Sequence, residues 1–130
     1  NNVDLITPKA MSNLYSSLYF STVLEPENSE YLLSLLTETI LDIHELADIP
    51  VGVKVSHKFG DNYYGSNQFF HDCGIIYIGD SKIFYCIMTK NIEEDKAFST
   101  IGFIVKEIYE YVVDTKSKLN VYVEESNRKK

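Results

Sequence analysis

Tryptophan is absent from this 130-residue sequence, and cysteine and proline are scarce, at two and three residues. Cys73 and Cys86 are too few for a scaffold built on disulfides, and they form no Cys-x-x-Cys pair. They read as buried free thiols. Positive charge is also short: twelve Lys and Arg stand against nineteen Asp and Glu, for a formal net charge of −7. An acidic body repels phosphate backbones, which argues against a nucleic-acid partner. The basic run Arg128-Lys129-Lys130 reads as a solvated tail. No stretch approaches the roughly 20 apolar residues of a membrane-spanning helix. Asn1-Asn2-Val3-Asp4 offers no basic or apolar leader segment, so no export signal is expected within these residues. His44, His57 and His71 lack the H-x-x-x-H spacing, and Cys and His do not cluster at ligand intervals, so neither metal nor cofactor is expected. Gly60, Gly65 and Gly74 form no phosphate-binding pattern ahead of a helix. Asp61 and Asp72 read as turn and strand-start residues.

What remains is a globular composition, 45% hydrophobic and 24% charged, with ten Tyr and seven Phe to fill a core. Thr7-Pro8 is a helix start, a capping hydroxyl followed by proline at the first helical position. Met11, Leu14, Tyr15, Leu18 and Tyr19 continue at helical spacing and predict a helix over residues 8 to about 20. The acidic run from Glu25 to Glu30 opens a second helix. Leu32, Leu33, Leu36, Ile40 and Ile43 extend its stripe, with an end expected near Leu41. Ala47 to Pro50 reads as a connector.

Val51, Val53 and Val55 alternate with Gly52, Lys54 and Ser56, which predicts a strand continuing through His57-Lys58-Phe59. Gly60 to Asn67 is rich in turn residues and reads as a loop. A strand over Cys73 to Ile78, a tight hairpin over Gly79 to Lys82 and a strand over Ile83 to Met88 follow. A two-residue turn at Asp80-Ser81 pairs Cys73 with Met88 and Cys86 with Ile75. The two sulfurs then lie diagonally, with Cβ atoms somewhat under about 7–8 Å apart. A disulfide spans about 3.5–4.5 Å, so both thiols are expected to be reduced. Glu93-Glu94-Asp95 opens a long helix carrying Ala97, Ile101, Ile104, Val105, Ile108 and Val112, and Leu119 to Glu124 reads as a short strand. The order predicts an α+β fold, a three-strand antiparallel meander flanked by helices.

Lys58-Phe59-Gly60 is the most informative run, because of what surrounds it. It lies on a strand after Ile49 to Val55, with His71 to Tyr77 and Lys82 to Lys90 as the next strands, and Thr7-Pro8-Lys9-Ala10-Met11 upstream. In this order the chain resembles the penicillin-recognising serine hydrolases, and class A β-lactamases most of all, whose signatures are S-x-x-K, S-D-N and K-T-G. The resemblance covers roughly residues 4 to 113 and implies a β-lactamase-like fold. Residues 1–113 would then be the C-terminal portion of that domain and 114–130 an extension. It also implies that Lys58, Phe59 and Gly60 contact substrate, and that the backbone N–H of Asp61 is one of two oxyanion-hole donors.

The sequence departs from that pattern. Phe59 stands where the family has Thr or Ser, and Cys73 falls near where many class A enzymes place an arginine. Ser-Asp-Asn is absent, and the only S-x-x-K, Ser126 to Lys129, lies in the charged tail. No catalytic residue is therefore expected in this chain, and as an isolated molecule it should be inactive. The expected function is the C-terminal part of a serine acyl hydrolase acting on an amide such as a β-lactam or cell-wall peptide. The alternative is a noncatalytic module of this fold that binds cell-wall material or a protein. The expected partner is the missing N-terminal half of the domain or a second copy of the chain, and in the complete domain a small molecule or peptide. The strand Ile83 to Met88, apolar on both faces, should be covered by such a partner. The resemblance also implies an extracytoplasmic or secreted bacterial setting.

Overall fold

The computed structural model describes residues 6–128. Helix α1 spans Pro8–Tyr19, and the Thr7 hydroxyl accepts from the Ala10 N–H at 3.2 Å, the cap anticipated from Thr-Pro. Helix α2 spans Pro26–Leu35 and stops earlier than its apolar stripe suggested. Asp42 interrupts it: its carboxylate accepts from the His44 and Glu45 amides at 3.0 and 3.1 Å and starts a separate short helix, α3, over Ile43–Ala47. Ile40, placed by periodicity on a buried stripe, is 99% exposed in the intervening loop. Ala47 belongs to α3 and not to a connector.

Three strands follow: β1 Lys54–Tyr64, β2 Asn67–Ile78 and β3 Ser81–Lys90. They form an antiparallel meander in the order β1-β2-β3. The strand begins only at Lys54 because the Val53 N–H closes a turn onto the Pro50 carbonyl at 2.9 Å. At its far end β1 runs straight through the predicted loop, so that the turn shrinks to Gly65-Ser66, with Gly65 at φ +61°. Aromatic packing overrides the turn-rich composition here. Phe59 lies 5.4 Å from Phe98, Phe70 lies 5.9 Å from Phe98, and Tyr63 meets Phe70 edge-on at 5.9 Å.

The second hairpin turns on Gly79-Asp80, with Ile78 facing Ser81 and Gly79 at φ +56°. Glycine takes the left-handed position without strain. That is one residue earlier than the sequence reading, and the slip changes every pair. Cys73 stands directly opposite Cys86, not Met88, and the two are joined in a disulfide, not reduced. Mass spectrometry of the unreduced protein is expected to show a deficit of two hydrogens. Replacing both cysteines by alanine should cost about 2–4 kcal/mol; an intact mass matching two free thiols would contradict the pairing.

The last helix, α4, spans Glu94–Arg128. The strand expected over 119–124 is instead part of this helix. Extending a formed helix adds one hydrogen bond per residue fixed, and propensity is a weak prior beside that gain. Ion pairs at i,i+4 spacing, Asp114–Lys118 and Glu124–Arg128, run along the same turns.

The sheet is the middle of three layers. One face packs on α3 and α4 through Ile43, Ala47, Val55, Ile76, Ile101 and Val105. The other meets α1 and α2 through Tyr15, Leu33, Cys73 and Ile75. Among the described residues β1 and β3 are both edges of the sheet.

Candidate functional site

Lys58, Gly60 and Asp61 all lie on β1, and alternation along the strand decides where each points. Lys58 is opposite Cys73 and Gly60 is opposite His71, so these four share the face that carries α1 and α2. Lys58 is exposed, and its ammonium donates to the Phe59 carbonyl. Phe59 points to the other face, into the aromatic group with Phe98, and so stands apart from Lys58 and Gly60. The floor at Gly60 is open: an added Cβ would meet nothing within 4 Å.

The Asp61 amide is placed by a hydrogen bond four residues away. The His57 N–H donates outward to the Leu36 carbonyl at 2.8 Å, away from β2. In an antiparallel edge strand alternate residues direct their N–H to the same side. With an unbroken register from Lys54 to Tyr64, Asp61 shares the outward direction of His57. The N–H of Asp61 is therefore aimed off the open edge of β1, close to Lys58 and to nothing in β2. An amide with no hydrogen-bond partner among the described residues, on an edge strand that also carries Lys58, is suited to a developing oxyanion.

Behind this ledge, on the α3 and α4 face, lies a set of polar groups the sequence reading passed over. His57 Nδ1 is 2.8 Å from Asp72 Oδ1, and its Nε2 is 2.7 Å from the Thr39 hydroxyl. Tyr85 donates to Asp72 Oδ2 at 2.5 Å. His57, Asp72 and Tyr85 are all buried, Asp72 completely so. Buried charge is tolerated only when its hydrogen bonds are met, and here both carboxylate oxygens and both ring nitrogens have partners. Burial, reinforced by the Asp72 charge, pushes the Tyr85 hydroxyl far above the ordinary tyrosine range. Tyr15 is raised by the same two causes and donates to the Cys73 carbonyl at 2.7 Å. Gly74 makes the arrangement possible: it faces His57, and a Cβ there would sit 2.5 Å from His57 Cβ and 2.7 Å from the Ser56 carbonyl oxygen.

The family model of the beta-lactamase enzyme family matches residues 1–112. The chain belongs to that family. A solved structure of PBP-A is similar in fold, with a TM-score of 0.61 at 16% sequence identity over 81% of this chain. The match takes in 40% of the PBP-A chain, so the present chain spans less than half the length of that relative. No curated protein matches. The α+β architecture read from the sequence is thus that of a β-lactamase-like domain.

Within this β-lactamase-family chain, no group of three His, Cys, Asp or Glu among the described residues could hold a metal. No described helix is long and apolar enough to cross a membrane. Ser126, the serine of the S-x-x-K match, lies on the last turns of α4, far along the chain from Lys58. Asp72, read as a strand start, is a mid-strand buried carboxylate. The signal that would have found it was parity: Asp72 shares a face with Ile76 and Ile78, where a lone charged residue demands partners. His71 faces Gly60, and its Nδ1 is buried with no hydrogen-bond partner among the described residues.

Proposed function

We propose that this chain is the C-terminal portion of a β-lactamase-like serine acyl hydrolase, and that a further segment must supply the nucleophile and its activating base. In the assembled site Lys58 places positive charge beside the substrate, Gly60 leaves room for it, and the Asp61 N–H is one oxyanion donor. The outward direction of that amide, on the open edge of β1 beside Lys58, is the observation that carries this reading. The substrate class it suits is an amide such as a β-lactam or a cell-wall peptide. Phe59 offers no hydroxyl to a substrate carboxylate, and Cys73 no cation, which supports a preference for substrates other than penicillins.

Two features support a partner that completes the domain. The outer edge of β3 is flanked by an apolar groove of Ile83, Phe103, Ile104, Ile108, Tyr111 and Val112. Elsewhere on the surface Phe20, Val23 and Ile40 are each at least 70% exposed. Exposed apolar area on this scale and a ten-residue strand edge without proline both favour coverage by further polypeptide. The rest of the domain is the occupant that suits the β3 edge and its groove; a second copy of the chain is the alternative. The disulfide Cys73–Cys86 supports an oxidising, extracytoplasmic setting.

The purified chain alone is expected to leave a chromogenic cephalosporin and a D-alanyl peptide untouched. Joined to the segment that carries Ser-x-x-Lys and Ser-Asp-Asn, it should gain turnover, and Lys58→Ala should lower that turnover by about 10²–10³-fold. Turnover by the chain alone that survives repurification and disappears with Lys58→Ala would overturn the division of labour. Retention on peptidoglycan with no turnover by the completed protein would favour the noncatalytic reading.

A further inference from the structure

β1 carries the candidate oxyanion donor on an edge that no strand covers among the described residues, and bare edges fray more readily than central strands. A donor that drifts by an ångström loses much of its effect on an acyl-transfer transition state. Something has to hold this edge, and the ties converge on one residue. His57 is bound at its backbone, N–H to the Leu36 carbonyl, and at both ring nitrogens, to Thr39 and Asp72. Asp72 is in turn bound to Tyr85 on β3. The bonds thus link the loop before α3, β1, β2 and β3 through groups on the far side of the sheet from Lys58.

An apolar set of similar volume would fill the same space without desolvating a carboxylate, and buried ion networks are often no more stabilising than such a set. What directional hydrogen bonds add is a fixed orientation. We propose that His57 is a positioning residue: anchored through Thr39, Asp72 and Tyr85, it fixes the outer edge of β1 and hence the aim of the Asp61 amide and the place of Lys58. This rests on the reading of Lys58 and Asp61 given above, since positioning matters only if that edge meets a substrate.

Thr39 is the member to change, because it is only partly buried and lies in a loop, so its variants should fold. Thr39→Val keeps the shape and removes the hydroxyl that partners His57 Nε2; Thr39→Ser restores the hydroxyl. Amide hydrogen exchange of the 130-residue chain is the first measurement. In Thr39→Val the inward amides of Lys58, Gly60 and Asn62 are expected to exchange about tenfold faster, while those of the β2–β3 pairing change less than about twofold; Thr39→Ser should match the wild type. The second measurement is kinetic, on the completed protein. Thr39→Val should lower kcat by about tenfold with KM within about twofold, and Thr39→Ser should recover it. Equal loosening of both hairpins, no change at β1, or failure of Thr39→Ser to restore the wild type would each overturn the proposal. A completed protein without turnover would instead remove the acyl-hydrolase reading, and the exchange measurement would still decide whether His57 anchors the edge.

Discussion

Asp72→Ala is expected to cost about 3–5 kcal/mol of stability, the largest single effect in this chain. Its two oxygens serve two donors, His57 Nδ1 at 2.8 Å and the Tyr85 hydroxyl at 2.5 Å, and neither donor has water to turn to. Removing the acceptor leaves both groups buried and unpaired, each at about 1–3 kcal/mol. Tyr85→Phe removes one donor and leaves Asp72 Oδ2 without it, but keeps the other oxygen paired with His57, so it should cost less, about 1.5–3 kcal/mol. Urea unfolding followed by far-ultraviolet circular dichroism gives both values. A loss below about 1 kcal/mol for Asp72→Ala would mean that His57 and Tyr85 find other partners, and that the four-element network is not what orders this part of the core.

Gly102→Ala is expected to destabilise by about 1–3 kcal/mol, against the usual sign of that change. In an ordinary helix interior, alanine for glycine stabilises by up to about 1 kcal/mol. Gly102 instead lies where α4 crosses α3, and an added Cβ would collide with the Leu46 carbonyl oxygen, and would come within 2.9 Å of its carbon and 3.0 Å of Leu46 Cγ. Backbone cannot swing aside as a side chain can, so α3 must shift as a body. That shift would disturb Ile43 and Ala47, both buried in the larger core cluster. Gly60→Ala is the internal control: its Cβ meets nothing within 4 Å, and stability should change by less than about 1 kcal/mol. A stabilised Gly102→Ala in thermal unfolding would show that α3 and α4 have room for a methyl group at their crossing.

The β3 edge is where the local pattern and the solution state of the chain meet. A strand apolar on both faces expects cover on both faces and along its edge. In the described residues α1 and α4 supply the faces, and the edge remains open beside the Ile83–Phe103–Tyr111 groove. Cover there was expected from the sequence; among the described residues the edge is open and the groove lies beside it.

Local chemistry determined a good deal of this protein by itself. Thr7-Pro8 set the start of α1, and the alternation and apolar runs set three antiparallel strands. The order of those elements around Lys58-Phe59-Gly60 was enough to point to the β-lactamase-like fold. Such features depend on residues within a few positions of one another, so one chain displays them. Tertiary structure decided whatever depends on which strand residue faces which. A turn at Gly79-Asp80, one residue earlier than expected, brought Cys73 opposite Cys86 and made a disulfide of two residues read as thiols. The same kind of register placed Gly74 opposite His57 and let Asp72 reach His57 and Tyr85 across three strands. Moving that turn by one residue shifts the pairing by two positions, so each side chain keeps its face and changes its partner. Composition cannot resolve a shift that small; only the closing of the hairpins against both helical layers does.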